Sequence, residues 1–310
     1  MKIVFMGTPV FSLSCLEALI AAGHEVAAVF TQPDKPKNRG KQIQMTPVKE
    51  CALKHDIPVY QPLSLRKGED AEQSMAVLRD ISPECIVVVA YGQLLPKEVL
   101  ELPKYGCVNV HASLLPMYRG AAPIQRCIQF GEKKTGVTTM YMAEGLDTGD
   151  MILKDELDIP EDMTGSELHD KLAEMGGRLI VRTLDEIAAG TAPRIPQQGD
   201  TCYAARIMKE ELLLDFTKSA VQVRDFIRAM SAAPCAYTIL DGKRLKVYGA
   251  CLAEGSFTGQ PGEIADPDSF TVVCGEGAVS FTEIQPEGGK RMDVQAYLRG
   301  KKPAKGTVLG

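Results

Sequence analysis

Short apolar runs alternate with longer amphipathic stretches over the first 130 residues. Strand-like runs occur at 2–6, 25–30, 58–60, 85–90 and 107–111, and the helical stretches between them run up to Gly23 and lie around 48–54 and 71–80. Strands that alternate with helices form βαβ units, whose strands run parallel. The pattern therefore predicts an α/β fold with a doubly wound parallel sheet.

The alternation of strand-like and helical stretches changes after residue 130. Two strand-like runs, 135–142 and 150–157, are separated only by the short stretch 143–149, which predicts an antiparallel extension of the sheet. Thr164 followed by Glu167 is a capping-box pattern, which predicts a helix through Ala173. A further helical stretch ends near Gly190.

A second, mostly β region follows a stretch rich in Pro, Gln and Gly. Residues 1–190 form the predicted first domain, 191–205 a linker and 206–310 a second domain. The second domain contains an amphipathic helix around 223–230 and strand-like runs at 237–240, 244–248, 270–274 and 278–284. Asp241-Gly242 between the first two is a hairpin turn signal, and the whole is typical of a small OB-like barrel.

Composition excludes several classes of protein. No apolar run approaches the roughly 20 residues that span a bilayer, and the apolar start at 2–6 is too short for a signal peptide, so we expect a cytoplasmic protein without membrane contact. The nine cysteines include no Cys-x-x-Cys pair, which predicts reduced core residues. None of the four histidines has metal-ligand spacing, so no metal is expected. The net charge of −5 restricts any RNA contact to local basic patches.

The strand 107–111 carries the most informative polar residues. Side chains alternate along a strand, so Asn109 and His111 share one face, while Val108 and Val110 share the other. Burying an amide and an imidazole unpaired costs about 1–3 kcal/mol each, and open α/β sheets bind ligands at the carboxyl ends of their strands. A functional site is therefore expected here, although a satisfied structural pair remains the alternative.

Asp147, in the acidic loop 143–150, could return to the end of this strand and orient His111. An acidic turn alone is usually only solvated. An amide donor, an imidazole and a carboxylate together suit acyl transfer to an amine without a Ser or Cys nucleophile.

Three loops are further candidates. Gln93-Leu94-Leu95-Pro96 and Ser113-Leu114-Leu115-Pro116 follow neighbouring strands and are apolar but conformationally restricted, as expected around a flat heterocycle, although such loops often only pack. Lys35–Lys41 carries Lys37, Arg39 and Lys41 without an acid, and could meet a phosphate backbone or remain a solvated loop. Gly7-Thr8-Pro9 lacks the glycines of a dinucleotide-binding turn, which disfavours a nicotinamide enzyme.

Several of these motifs together resemble the 10-formyltetrahydrofolate-dependent formyltransferases, and in particular those that act on methionyl-tRNA. The resemblance covers essentially the whole chain. It rests on Asn109-x-His111, Ser113-Leu114-Leu115-Pro116-x-Tyr118-Arg119-Gly120, Gly145-Leu146-Asp147-Thr148-Gly149, Thr31-Gln32-Pro33-Asp34-Lys35-Pro36 and Gly120-Ala121-Ala122-Pro123-Ile124-Gln125-Arg126.

The resemblance implies a Rossmann-like catalytic domain and an OB-like domain that helps to hold tRNA. It implies Asn109, His111 and Asp147 as the catalytic residues, with 10-formyltetrahydrofolate, a reduced folate, as the formyl donor and no metal. The implied folate contacts also include the loop Ala143-Glu144-Gly145-Leu146, and Arg39 matches a basic residue that inserts into the acceptor end of initiator methionyl-tRNA. The chain departs from the family at Ser231-Ala232-Ala233-Pro234, where a tryptophan is usual, and at Phe216.

The expected reaction is attack by the methionyl amine on the formyl carbon, with Asn109 and protonated His111 stabilising the oxyanion and a monomer as the working unit. Three alternatives stay open at this point. They are a formyltransferase of the same fold that modifies an amino sugar or hydrolyses the formyl donor, a noncatalytic RNA-binding module, and a Rossmann dehydrogenase.

Overall fold

The structure, a computed structural model, describes the backbone of residues 1–37 and 42–310 and the side chains of 1–35 and 43–310. The chain divides into two compact units. The first comprises Met1–Gly120, Gly136–Leu157 and His169–Tyr203, and the second comprises Ala121–Thr135, Asp158–Leu168 and Ala204–Gly310. Two internal segments before residue 170 thus group with the C-terminal part of the chain.

A seven-stranded sheet forms the first unit, in the order β5-β2-β1-β6-β7-β8-β9. The first five of these strands are parallel, and β8 joins β7 antiparallel, which confirms the predicted parallel sheet and its antiparallel extension. The strands of this region are β1 (Lys2–Gly7), β2 (Glu25–Phe30), β3 (Lys35–Lys37), β4 (Gln42–Gln44), β5 (Val59–Tyr60), β6 (Cys85–Val89), β7 (Cys107–His111), β8 (Lys134–Tyr141) and β9 (Met151–Asp158).

Helices connect these strands along the chain, and of those given next α5 and the first turn of α6 belong to the second unit. In chain order they are α1 (Val10–Ala21), α2 (Pro47–Lys54), α3 (Glu69–Ile81), α4 (Lys97–Leu100), α5 (Pro123–Gln129) and α6 (Gly165–Ala189). Strand β6 is buried along its whole length, as is nearly all of β1, because helices lie on both faces of a parallel sheet. This explains why both strands consist of continuous apolar residues.

The direction of chain growth across the sheet reverses at β1, which lies between β2 and β6. Ligands bind at such a switch point, outside the carboxyl ends of the strands. Here Thr8, which follows β1, donates its hydroxyl hydrogen to the Tyr91 carbonyl oxygen at 3.1 Å and accepts the Gln32 backbone N–H at 3.3 Å. The segments that leave β1, β2 and β6 are therefore joined at this edge.

Helix α6 is one continuous helix of 25 residues, where the sequence predicted two stretches. Its capping box is confirmed, since Thr164 Oγ1 accepts the Glu167 N–H and Glu167 accepts the Thr164 N–H. The Gly176-Gly177 pair in its middle does not end the helix. A Cβ at Gly177 would lie 2.8 Å from the Ser14 carbonyl oxygen of α1, so these glycines let two helices approach closely.

The second unit contains a six-stranded antiparallel sheet in the order β10-β11-β14-β13-β12, with β15 beside β14. The predicted hairpin is confirmed, because Asp241 and Gly242 join its first two strands with φ of 51° and 72°, as a tight hairpin turn requires. Its strands are β10 (Ala236–Leu240), β11 (Lys243–Leu252), β12 (Ile264–Asp266), β13 (Thr271–Val273), β14 (Ala278–Pro286) and β15 (Met292–Asp293).

Two helices accompany this sheet, α7 (Ala220–Met230) and α8 (Val294–Gly300), after a 3-10 turn at Lys209–Leu212. The predicted amphipathic helix is α7, whose Asp225 and Arg228 form a buried ion pair at 2.8 Å. Arg228 also donates to the carbonyl oxygens of Pro160 and Met163, which anchors the 158–168 segment within the same unit.

The cysteines are free and mostly buried. Seven of them lie in the interior, as predicted, whereas Cys202 is half-buried and Cys251 is exposed. Within residues 1–37 and 42–310, none of the helices combines the length and the apolar character that crossing a bilayer requires.

Candidate active site

His111 ends strand β7, and one of its ring nitrogens is already engaged. Its Nε2 lies 2.9 Å from the carbonyl oxygen of Tyr118. A carbonyl oxygen only accepts hydrogen bonds, so Nε2 carries the hydrogen and donates it. The side chain is 7% exposed, and Nδ1 is the ring nitrogen that faces the remaining polar groups of the site.

Asp147 faces that free nitrogen. Its Oδ2 lies 3.7 Å from His111 Nδ1, which is too long for a direct hydrogen bond but close for two charges that are largely removed from water. The same oxygen accepts the Gly120 backbone N–H at 2.8 Å. The structure therefore brings Asp147 and His111 together, as the sequence predicted, without a direct hydrogen bond between them.

Asn109 lies on the same face of β7 as His111 and is half-buried. Its strand neighbours are Val88 of β6 and Met140 of β8. Within residues 1–37 and 42–310, its carboxamide makes no hydrogen bond to another group of the protein. Partly buried polar groups normally have a partner, so this amide is available to bind a ligand beside His111.

Two glycines shape the loop that carries Asp147. A Cβ at Gly149 would overlap the carbonyl oxygen of Tyr141, so only glycine lets the loop turn this tightly against β8. Gly120 has a φ of 110°, in the region that favours glycine, and this conformation accompanies its N–H bond to the carboxylate. Asp147 itself has a φ of 51°.

The predicted folate loop after β6 divides into supporting and accessible residues. Gln93 accepts the Leu65 N–H at 3.0 Å and donates to the Pro62 carbonyl oxygen at 2.9 Å, so its side chain holds a neighbouring loop. Leu95 belongs to the core, and Pro96 is half-buried. Leu94, by contrast, is 57% exposed and is the residue of this loop that a ligand can reach.

The predicted loop after β7 is mainly a packed turn. Ser113 is buried, donates to the Met117 carbonyl oxygen at 2.7 Å and accepts the Thr138 hydroxyl through its own carbonyl oxygen. Leu115 packs with Met140 and Met151, while Leu114 and Pro116 are half-buried. Ser113 and Leu115 therefore set the path of the loop that presents the Tyr118 carbonyl oxygen.

The third predicted folate segment, Ala143-Glu144-Gly145-Leu146, is exposed. Met142, directly before it, packs against the core cluster that contains Leu95 and Tyr91. The loop after β8 and the loop after β6 are thus joined at their bases, with Leu94 and Leu146 as exposed apolar residues.

Tyr91 is buried, and its Oη has no hydrogen-bond partner in the described part of the chain. Burial raises the pKa of this phenol.

Residues 191–203, which form most of the predicted linker 191–205, are tied to β8, β9 and the loop after β7. Ile195 exchanges two backbone hydrogen bonds of 2.9 Å with Met151 of β9. Arg194 stacks 3.6 Å from the centre of the Tyr141 ring. Further on, the Cys202 carbonyl oxygen accepts the Arg119 N–H at 3.0 Å. We call this stretch the 191–203 segment.

The basic loop is described only in part. Arg39 and Lys41 lie outside the described residues, and of Lys37 only the backbone is described, in β3. That strand pairs antiparallel with β4, which the sequence did not predict.

Two contacts close the base of this hairpin. Thr31 and Thr46 share a buried hydrogen bond of 2.8 Å between their hydroxyls, and Asp34 forms an ion pair with Lys49 at 2.5 Å. Burial opposes ionisation of Asp34, but hydrogen bonds from Lys49 and Gln61 outweigh that effect and lower the pKa of the carboxyl group.

Sequence reasoning missed the groups that hold the His111 and Asp147 side chains. The Tyr118 carbonyl oxygen and the Gly120 N–H are backbone groups, which any residue type supplies. Both groups belong to the motif that runs from Ser113 to Gly120, but only the fold shows which side chains they bind. Gln197, which hydrogen bonds to the Asp147 loop, lies in a stretch with a linker-like composition.

Known formyltransferases resemble this chain over nearly its whole length. The family model described as formyl transferase matches residues 1–184, and that of the formyl transferase C-terminal domain matches 206–302. The methionyl-tRNA formyltransferase of Alkaliphilus oremlandii is 47% identical over 100% of both chains, and that of Agathobacter rectalis is 50% identical over 97% of this chain and 96% of its own.

Solved structures share the fold at low sequence identity. An N-formyltransferase from Helicobacter canadensis, in complex with folinic acid and dTDP-3-aminofucose, has a TM-score of 0.68 at 18% identity over 91% of this chain and 99% of its own. HypX from Aquifex aeolicus, in complex with tetrahydrofolic acid, has a TM-score of 0.65 at 18% identity over 97% of this chain and 47% of its own. These structures therefore support the fold.

Proposed function

This chain belongs to the methionyl-tRNA formyltransferases of the formyl transferase family, and we propose that it transfers the formyl group of 10-formyltetrahydrofolate to the amino group of initiator methionyl-tRNA. The product, formylmethionyl-tRNA, serves translation initiation. The observation that carries the chemistry is the Asn109 carboxamide, which has no hydrogen-bond partner among the described residues and lies on the same strand face as His111, whose Nδ1 lies beside Asp147.

The proposed reaction uses the protein to stabilise charge on the formyl oxygen. As the methionyl nitrogen bonds to the formyl carbon, negative charge builds on this oxygen. The Asn109 amide and the Nδ1–H of protonated His111 donate hydrogen bonds to it. His111 Nε2 is already bound to the Tyr118 carbonyl oxygen, so the imidazole is oriented before the substrates arrive.

Asp147 has two roles in this proposal. Its carboxylate, 3.7 Å from Nδ1, keeps the imidazole of His111 turned toward the substrate. Its Oδ2 is held by the Gly120 N–H, and Oδ1 has no partner in the described part of the chain, so Oδ1 accepts the proton of the attacking amine through a water molecule. The bond between the formyl carbon and the donor nitrogen then breaks, and that nitrogen takes up the proton.

The formyl donor would occupy the edge of the sheet between the loops after β6 and β8. Exposed Leu94 and Leu146 supply apolar surface there for its flat ring system, while Gln93 and Leu95 keep the first loop in place. In this proposal the reacting formyl carbon would lie near Asn109.

The tRNA assignment comes from the full-length relatives and from the basic residues at 35–41 of the sequence. Lys37, Arg39 and Lys41 would contact the acceptor end, and Arg39 has a planar guanidinium suited to a phosphate or a guanine edge. The full-length relatives at 47–50% identity are named methionyl-tRNA formyltransferases, which favours a tRNA substrate over an amino sugar.

The direct test is transfer of a labelled formyl group from 10-formyltetrahydrofolate to methionyl-tRNA. We expect the initiator form to be formylated faster than elongator methionyl-tRNA, and free methionine not to be formylated. Calorimetry should detect binding of a formylfolate analogue and no binding of NAD. Transfer to an amino sugar nucleotide in preference to methionyl-tRNA, or hydrolysis of the donor alone, would contradict the proposal.

A further inference from the structure

We infer that Gln197 is a positioning residue for the reaction. Its carboxamide, held by Arg119, fixes the turn that presents Asp147 to His111. This inference rests on the proposed function, because it concerns how the catalytic carboxylate is placed. It assigns a role to the 191–203 segment, which the sequence suggested was a linker.

The Gln197 side chain makes four hydrogen bonds, which use all of its polar capacity. Its Nε2 donates to the carbonyl oxygens of Asp147 and Gly149, at 2.8 and 2.9 Å. Its Oε1 accepts from Arg119 Nε at 2.9 Å and Arg119 Nη2 at 2.7 Å. Carbonyl oxygens only accept and a guanidinium only donates, so one orientation of the amide satisfies all four partners.

The two acceptors lie on either side of Thr148, within the tightest part of the catalytic loop. Asp147 there has a φ of 51°, a conformation that non-glycine residues adopt infrequently. Such a conformation persists when the surrounding structure fixes it. Gln197 holds the backbone of this turn from one side, and the Gly120 N–H holds the Asp147 carboxylate from the other.

Arg119 connects Gln197 to the backbone that holds His111 and Asp147. It lies between Tyr118, whose carbonyl oxygen orients His111, and Gly120, whose N–H binds Asp147. The backbone of Arg119 is itself tied to the 191–203 segment through the Cys202 carbonyl oxygen. A path of hydrogen bonds therefore runs from the backbone beside His111, through Arg119 and Gln197, to the backbone of Asp147, and it fixes the two sides of the site relative to each other.

Substitution of Gln197 separates this role from simple packing. Gln197→Ala removes all four hydrogen bonds, and we expect kcat to fall on the order of 100-fold, the usual effect of about 1 Å of misplacement. Gln197→Glu keeps an acceptor for Arg119 but turns a carboxylate oxygen toward two carbonyl oxygens. Its kcat should fall at least as far, although the pairing with Arg119 is retained. The KM for methionyl-tRNA should stay within about twofold in both variants.

The neighbouring Gln198 supplies the matched controls. It is exposed, and Gln198→Ala and Gln198→Glu make the same chemical changes one residue away. Both should keep the parent kcat. A combined Gln197→Ala and Asp147→Asn variant should be no slower than Asp147→Asn alone, because residues that act through one another are non-additive.

Amide hydrogen exchange tests the positioning without any catalysis. The Gly120 N–H, bound to Asp147 Oδ2, should exchange about tenfold faster in Gln197→Ala and unchanged in Gln198→Ala. Parent kcat in Gln197→Ala, an additive loss in the double variant, or unchanged Gly120 exchange would overturn the inference. If the parent protein failed to formylate methionyl-tRNA, the proposed function would fail, and the Gly120 exchange would still decide whether Gln197 fixes the turn.

Discussion

The proposed catalytic end of the sheet and the β3–β4 hairpin differ in the contacts that the structure describes for them. At the catalytic end, His111 and Asp147 are each held by a backbone group, and the Asp147 turn is held again by Gln197. At the hairpin, the described side-chain contacts lie at its base, in Thr31–Thr46 and Asp34–Lys49. Bond formation needs groups held within fractions of an ångström, whereas recognition of a phosphate backbone depends mainly on charge.

This difference predicts separate losses. Changes at the catalytic end should lower turnover and leave tRNA affinity almost intact. Replacing the basic residues of the hairpin should raise the KM for methionyl-tRNA and reduce the salt dependence of tRNA binding. The formyl transfer step itself should remain unchanged. Substitutions at the hairpin base should lower the free energy of unfolding, and these effects should be the smallest of the three.

The largest effect is expected for His111→Ala. It removes one donor to the oxyanion and should lower kcat about 100- to 1,000-fold, or about 2.7–4 kcal/mol in transition-state stabilisation. His55→Ala, at an exposed histidine, is the control and should keep full activity. Steady-state kinetics and thermal unfolding would measure both. A His111→Ala enzyme with more than about a tenth of parent turnover would show that the histidine is not an oxyanion donor.

Asn109→Ala should lower kcat about 100-fold through loss of the second donor. Its thermal stability should stay the same or rise slightly, because the parent amide is half-buried without a partner in the described part of the chain. Asn109→Asp, which keeps the size and loses the donor, should be at least as slow. A large drop in melting temperature with little change in kcat would identify Asn109 as a structural residue instead.

The hairpin variant comes next in size. Replacing Lys37, Arg39 and Lys41 by alanine should raise the KM for methionyl-tRNA about tenfold and reduce the slope of log affinity against log salt by about 2 to 3, with binding of formylfolate unchanged. The control replaces Lys54, Lys67 and Arg79, which are exposed and give the same charge change. If both triple variants behave alike, the effect is one of net charge and the hairpin has no special role.

The smallest effect is expected at the hairpin base. Asp34→Asn should lower the free energy of unfolding by about 0.5–1 kcal/mol at pH 7. The folded protein lowers the pKa of Asp34, so this contribution is present above about pH 4, the ordinary range of an aspartate, and disappears as the pH falls through the folded value. Denaturant unfolding from pH 7 to pH 3 should show the parent and the variant converging, whereas Asp80→Asn, at an exposed position, should match the parent throughout. A pH-independent difference would contradict this account of the ion pair.

Local rules predicted the strand of the catalytic residues and the hairpin turn of the second unit. Strand β7 has the predicted bounds 107–111, and the prediction that Asn109 and His111 share a face required only strand alternation. Asp241-Gly242 needed only its turn propensity. Such features are set by neighbouring residues, which the sequence displays directly.

Features set by contacts between distant segments could not be predicted in this way. The composition around Gln197 indicates irregular backbone but not what that backbone touches, 50 residues from Asp147 in sequence. Ser113 and Leu115 were predicted to contact the folate, and the structure shows that both are buried in a packed turn, which uses the same residue types as a ligand loop. Whether the side chain faces a ligand or the core is decided by the strands beneath it, here through Thr138 and Met140.

The paired glycines of α6 have a consequence for engineering this enzyme. Replacing a helical glycine by alanine is a standard route to a more heat-resistant protein, worth about 1 kcal/mol per site. At Gly177 the added methyl group would press on the Ser14 carbonyl oxygen, and at Gly176 it would lie 3.1 Å from Val110, on the strand that carries Asn109 and His111. Alanine at these two positions would therefore displace α1 or strand β7 instead of stabilising the protein. Both glycines should be left unchanged when the enzyme is engineered for heat resistance.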